Sequence, residues 1–309
     1  MELNELLGIG NFMLVEESYA NQKWIGKTLE YLGKIEAQDV VEAIRIFAKS
    51  RGRGKDKELI GIAMYDRDLN FWIIFTDIIA DRRSKEEFEA LASGIKCDKE
   101  REVEVEREKF REGVIEFYSL GLVNRLFCDC NLREASFYPQ GRTEALKKVL
   151  NDFLRYAEAV GEDVSALEIG CGNGGATIAL HESGIFPIAV DINKCEICKG
   201  LEEGILEPKK SIVLDCSVLS VFFGKEFDVV FGFMIGKLTP FERFSWEKVL
   251  KEVPKVLKSK GKVLFTVSSE EEAMIVNEIL KDKFEGEIKE NKESDGYLDH
   301  WLYMGELRE

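Results

Sequence analysis

The sequence predicts an α/β fold: a mostly parallel, seven-stranded sheet over residues 135–309, preceded by a mainly α-helical region over 1–134. Three observations carry this. From Ala166 onward, short apolar runs alternate with amphipathic helical stretches, the pattern of a parallel sheet covered by helices. A turn holding Gly170, Gly172, Gly174 and Gly175 separates the first such run from the first helix. Before residue 135, apolar residues recur mostly at helical spacing.

In that first region, Ile35 to Ala48 sets Val40, Val41, Ile44, Ile46 and Phe47 at helical spacing, with Asp39 near the start. Arg51–Lys57, RGRGKDK, interrupts the pattern; it reads as a solvated basic loop, with a phosphate contact as the alternative. Leu59–Met64 and Leu69–Ile79 are apolar enough to be buried. Ser84-Lys85-Glu86-Glu87 reads as a capping box opening a helix to about Leu91. Asp98 to Phe127 opens with alternating charge and becomes amphipathic through Phe110, Val114, Ile115, Phe117, Tyr118 and Leu122. A helical domain in this position caps a substrate pocket or dimerises, and the residues do not choose between the two.

The connector carries a turn, Tyr138-Pro139-Gln140-Gly141. Thr143 then caps a helix to about Val160, with Leu146, Val149, Leu150, Phe153, Leu154 and Ala157 on one face. That helix leads straight to the strand at Ala166, which brings the turn near the glycine loop. Tyr138 and Arg142 are therefore candidates to close over a ligand, Arg142 on a carboxylate; a packed aromatic and a surface arginine are the alternative.

The strands of the second region are Ala166–Ile169, Phe186–Val190, Ser211–Leu214, Phe227–Phe231, Val263–Val267, Phe284–Lys289 and Trp301–Leu307, with helices over Phe241–Leu257 and Glu270–Leu280. Glu168, the glycines, Asp191, Asp215 and Phe231–Phe233 all fall at the carboxyl ends of strands, where open α/β sheets bind ligands. Glycines allow positive φ and close backbone approach. The following helix points its N-terminus at the ligand. An acid about 20 residues past the first glycine, Asp191, suits a ribose diol. A nucleotide-type ligand follows.

Taken in order, these residues resemble the class I S-adenosylmethionine-dependent methyltransferases, with a Rossmann-like sheet, over residues 135–309. LEIGCGNGG is similar to the family's first motif, FDVVFGFM to its fourth strand, and WEKVLKEVPKVLKSKGKVLFTV to its helix, turn and fifth strand, although Lys260-Gly261 stands where Pro-Gly is usual. The resemblance implies S-adenosyl-L-methionine as cofactor. It implies that Glu168 helps fix the loop of Gly170, Cys171, Gly172 and Gly174 beside the methionine end, that Asp191 takes the ribose, with Ile192 next to it in the cofactor set, and that Asp215 with Cys216 takes the adenine amino group. Phe231 and Gly232 of the fourth strand, with Tyr138 and Arg142, complete the expected cofactor set. A nicotinamide-type site is the nearest competitor, since Gly170, Gly172 and Gly175 also satisfy G-x-G-x-x-G; an acid inside the first strand, Glu168, argues against it.

The implied activity is methyl transfer to a small-molecule or protein acceptor, with the catalytic residues unknown. Aminocarboxypropyl or aminopropyl transfer, as in nicotianamine and polyamine synthases, keeps the same cofactor, and the SFYP segment is similar to the former. Non-catalytic cofactor binding is the third reading. The net charge of −15 is shared by both regions, with 21 basic and 27 acidic residues over 1–134 and 22 and 31 over the rest. Nucleic acid is disfavoured on that charge, and the fourth strand lacks the Asn/Asp-Pro-Pro-Tyr/Phe signature of amino-methylating nucleic-acid enzymes. The longest apolar stretch, from Phe71, covers about half a membrane span and contains Asp77. No basic segment followed by an apolar run opens the chain, so a cytoplasmic protein with no membrane contact is expected, and a homodimer is open. His181 reads as a packing or surface residue, and His300 as a weak acceptor-side candidate. The seven cysteines read as reduced thiols. Cys128-x-Cys130 and Cys195-x-x-Cys198 resemble ligand pairs, but more than 60 residues separate them, which matches no compact zinc module, and no metal is assigned.

Overall fold

Residues 1–16, 25–36, 40–49, 57–130, 135–156, 164–239, 242–295 and 298–309 are described by a computed structural model. The basic loop expected over 51–57 lies, except for Lys57, outside them, as do Ala157–Val160 and Phe241. The chain divides into two units, Met1–Phe127 and Cys128–Glu309, so the division falls before the cysteine pair Cys128/Cys130 rather than after residue 134.

The first unit contains helices α1 (Glu2–Leu7), α2 (Gly26–Leu32), α3 (Arg82–Gly94) and α4 (Arg107–Val123). It also contains a five-stranded sheet that the helical reading did not place. The strands are β1 (Phe12–Leu14), β2 (Glu42–Ala48), β3 (Glu58–Asp66), β4 (Phe71–Thr76) and β5 (Lys99–Val105), in the order β1-β4-β3-β2-β5. The helix expected up to Ala48 is therefore a strand. Its apolar residues satisfy either spacing, but the β-branched Ile44 and Ile46 favour a pleated surface, and β2 lies between β3 and β5 with both isoleucines fully buried. The charged opening of the helix expected from Asp98 is β5, an edge strand whose alternating side chains pair with Lys57 and Arg45; a charged edge resists pairing with other chains. The cap of α3 is Asp81 rather than Ser84, because the Asp81 carboxylate accepts the Ser84 N–H at 2.8 Å.

In the second unit, helix α5 (Gln140–Tyr156) precedes β6 (Ala166–Ile169), α6 (Thr177–Glu182), β7 (Ile188–Asp191), α7 (Lys194–Glu202), β8 (Ser211–Val213), α8 (Leu219–Phe222), β9 (Phe227–Gly232), α9 (Arg243–Val256), β10 (Leu257–Val267), α10 (Glu270–Leu280), β11 (Phe284–Glu290) and β12 (Trp301–Leu307). The seven strands lie in the order β11-β12-β10-β9-β6-β7-β8. Neighbours are parallel from β10 to β8, and β12 runs antiparallel between β10 and β11. The first strand, β6, is thus central, and connections leave it toward both edges. Such a reversal opens a crevice at the carboxyl ends of the strands. Leu146, Leu150 and Phe153 of α5 pack with Ala179 and Leu180 of α6 and Phe231 of β9 in one core cluster. This core anchors the connector helix beside the crevice.

Candidate functional site

The loop after β6 is held open by its backbone. Gly170, Gly172 and Gly174 all have positive φ (67°, 56° and 89°), a region costly for residues with a Cβ. The Gly170 and Cys171 N–H groups donate to the Val190 carbonyl at 2.8 and 3.1 Å, which ties the loop to β7. The glycines divide by what surrounds them. A Cβ on Gly172 would meet nothing within 4 Å, and one on Gly170 only the Trp246 ring at 4.0 Å. A Cβ on Gly174 would strike Ile205 and Leu206 at 2.8 and 2.9 Å, and one on Gly232 would strike Ile235 at 2.6 Å. Gly170 and Gly172 therefore border open space, whereas Gly174 and Gly232 serve packing.

Three carboxylates surround this loop. Glu168, 1% exposed, accepts a hydrogen bond from Thr177 Oγ1 at 2.7 Å. Burial pushes its carboxyl up to about 7, opposed by Thr177 and by the positive charge of Arg142. Asp191 accepts the Gly172 N–H at 2.8 Å on one oxygen and the Asn193 N–H at 2.7 Å on the other. Each carboxylate oxygen keeps a further lone pair, so Asp191 can close the loop and still accept from a ligand. Asp215 follows β8 and accepts the Ser217 N–H at 2.8 Å; the Leu214 N–H donates to the Asp191 carbonyl, which sets the two acids on adjacent strand ends. Ile192, beside Asp191, is 48% exposed, a large apolar side chain left uncovered at the crevice.

Other expected residues take other parts. Phe231 is fully buried and packs on Phe153 and Phe233, so its side chain belongs to the core. Cys171 and Cys216 are buried, with thiols pushed up by burial. Tyr138 and Arg142 do lie against the loop: a Cβ on Gly175 would stand 3.6 Å from Arg142 Nη1 and 3.7 Å from the Tyr138 ring. Each has an internal partner. The Tyr138 hydroxyl donates to Glu203 at 2.5 Å, and burial with that carboxylate pushes the phenol up to about 12. Arg142 donates through Nε and Nη2 to buried Asp299 at 2.7 and 3.3 Å. Asp299 also accepts from Thr266 Oγ1 at 2.5 Å. A cavity of about 280 Å³ adjoins this pair, lined in part by Arg142, Asn291, Glu293, Asp295 and Asp299. It sits at the carboxyl edge of the sheet, because β12 runs antiparallel and begins there.

Trp246 of α9 was not anticipated. Its ring stands 3.1–3.4 Å from a Cβ placed on Gly236 and borders Gly170. The sequence showed it only as one residue of an amphipathic helix, since nothing local marks which side chain of α9 reaches the loop. His181 stacks on Phe186, as a packing residue does, and His300 Nε2 lies 3.5 Å from Glu290.

Residues 167–265, from β6 into β10, match the family described as "Methyltransferase domain". Residues 167–265 of the second unit are a methyltransferase domain. The cofactor of this domain is S-adenosyl-L-methionine. The structure fits that group at the open space over Gly170 and Gly172 and at the two acids on adjacent strand ends. Among curated proteins, the chain is 33% identical over 132 residues to the sterol 4-C-methyltransferase strm-1 of Caenorhabditis elegans, covering 41% of this chain and 38% of that protein. The chain thus spans well under half the length of that curated relative. Among solved structures, the domain is similar to an S-adenosylmethionine-dependent methyltransferase from Clostridium acetobutylicum (13% identity, 54% of this chain and 92% of that one, TM-score 0.44). It is also similar to magnesium protoporphyrin IX methyltransferase from Synechocystis with bound cofactor (12%, 66% and 98%, TM-score 0.42). Among the described residues, no helix of the methyltransferase domain or of the first unit is long and apolar enough to cross a membrane.

Proposed function

We propose that the chain transfers the methyl group of S-adenosyl-L-methionine to a small-molecule acceptor. The observation that carries this reading is the open space over Gly170 and Gly172, with Asp191 holding the Gly172 N–H and Asp215 at the end of the adjacent strand. In this reading the Gly170–Gly172 backbone and Glu168 take the methionine end of the cofactor. Asp191 accepts from the ribose hydroxyls, Asp215 from the adenine amino group, and Ile192 covers the adenine face. The bound cofactor supplies an activated methyl group, so the task left to the chain is positioning the acceptor in line with it. The cavity beside Arg142 and Asp299 supports a small-molecule acceptor, because its volume is about 280 Å³ and its lining sets Pro139, Ala145 and Leu298 beside Arg142, Asn291 and Asp299. Arg142, which borders both Gly175 and this cavity, is the residue through which acceptor and cofactor sites meet.

The test is product analysis. Purified protein incubated with methyl-labelled cofactor and a cell extract should release S-adenosylhomocysteine and label a small molecule. Methylthioadenosine as the product would instead assign aminocarboxypropyl or aminopropyl transfer. Cofactor binding without any turnover would assign a binding protein.

A further inference from the structure

The two cysteine pairs far apart in sequence meet in the fold. Cys128 and Cys130 lie in an irregular segment at the start of the second unit, and Cys195 and Cys198 lie in the first turns of α7. The sulfurs of Cys128, Cys130 and Cys198 all lie within 4.8 Å of one another, and Cys195 Sγ is 3.9 Å from Cys128 Sγ. Cys195 and Cys198 are three residues apart on a helix, so they share one face, and that face meets the Cys-x-Cys segment. None of the four forms a disulfide.

We propose that Cys128, Cys130, Cys195 and Cys198 hold one zinc ion through four thiolates. Three of these sulfurs already form one cluster and Cys195 reaches it through Cys128; four cysteine sulfurs are the donor set of structural zinc sites, and closing the set needs Cys195 to turn its side chain inward. Tetrahedral zinc with ligands at about 2.3 Å sets its sulfurs about 3.8 Å apart, close to the 3.9 Å between Cys128 and Cys195. The Cys128 and Cys130 sulfurs, now 2.7 Å apart, need to separate by about 1 Å, a side-chain torsion that an irregular backbone leaves available. A four-iron cluster fits less well, since its ligands bind different irons and stand farther apart. The remaining chemistry agrees. Like charges this close oppose one another, so four thiolates need a cation. The Cys195 N–H is already capped by Asn193 Oδ1 at 3.1 Å, and the α7 N-terminus favours negative charge.

The site has a structural use. The connector is already tied to the far end of α7, where Ser136 N and Tyr138 donate to Glu203. Zinc would tie it to the near end as well, two residues after Asn193 and four after Asp191. The ion would then fix the helix that follows the acid expected to take the ribose.

The test uses the full chain, expressed in zinc-sufficient medium and purified without chelator. Elemental analysis should find about one zinc per chain. Alkylation should spare Cys128, Cys130, Cys195 and Cys198 until a chelator is added, and then modify all four. Cobalt replacement should give the visible absorption of a tetrahedral thiolate site. Cys198→Ser should lose the metal, while Cys97→Ser should keep it. Because Cys198→Ser could fail to fold, the wild-type metal content and alkylation pattern decide the matter alone. Three outcomes would overturn the proposal: metal far below one per chain with all four thiols reactive at the outset, a Cys128–Cys130 disulfide in the unreduced protein, or iron with acid-labile sulfide.

Discussion

Glu168 is a carboxylate enclosed by apolar strands, with one hydroxyl donor from Thr177 and no direct ion pair among the described residues. Its carboxyl is raised from 4.5 to about 7, so between those values the folded chain holds a proton that the unfolded chain has lost. The resulting stability is fully present below about 4.5 and is lost as pH rises through about 7. Glu168→Gln removes this dependence. The difference in unfolding free energy between wild type and Glu168→Gln should therefore change by on the order of 1–3 kcal/mol from pH 5 to 7.5, the wild type losing more. Denaturant titrations at several pH values measure it, and parallel curves would refute the burial account. Asp77 of the first unit is raised to about 6 by burial and slopes in the same sense, so only the difference between the two proteins is informative. Asp191→Ala should weaken cofactor binding by about 1–3 kcal/mol through lost charge-assisted hydrogen bonds. Calorimetry with unchanged affinity would remove Asp191 from the ribose site.

The glycine loop separates folding from binding among residues that look alike in sequence. Gly174→Ala meets both a left-handed backbone and the side chains of Ile205 and Leu206, and should cost about 2–4 kcal/mol of stability. Gly172→Ala meets the same backbone strain but open space, and should cost only about 1–2 kcal/mol while weakening cofactor binding severely. Thermal unfolding paired with calorimetric binding distinguishes them; equal stability losses would mean that the space over Gly172 is filled. The reason these roles were not legible is that G-x-G-x-G states where the chain turns and not what packs beyond it. The same holds for Arg142, whose nearness to the loop followed from its place after the turn, whereas its pairing with Asp299 joins residues 157 apart. In the first unit, the apolar residues of β2 satisfied helical spacing as well as strand spacing, and only pairing with β3 and β5 decided between them.

Each unit has its own buried core, and a ligand stabilises only the fold that binds it. Calorimetry of the whole chain should show S-adenosyl-L-methionine, at about 100 times its dissociation constant, stabilising the second unit by about 2.7 kcal/mol. A first unit shifted equally would mean that the two unfold as one. The sequence by itself determined the alternating architecture of residues 135–309, the turn that carries the site and the acids at its strand ends, because these follow from hydrophobic period, glycine conformation and local order along the chain. Tertiary structure alone decided the sheet of the first unit, the partners of Tyr138 and Arg142, the approach of Trp246 and the meeting of Cys128 and Cys130 with Cys195 and Cys198. Those depend on contacts between distant segments, and no local pattern encodes which distant side chain will arrive.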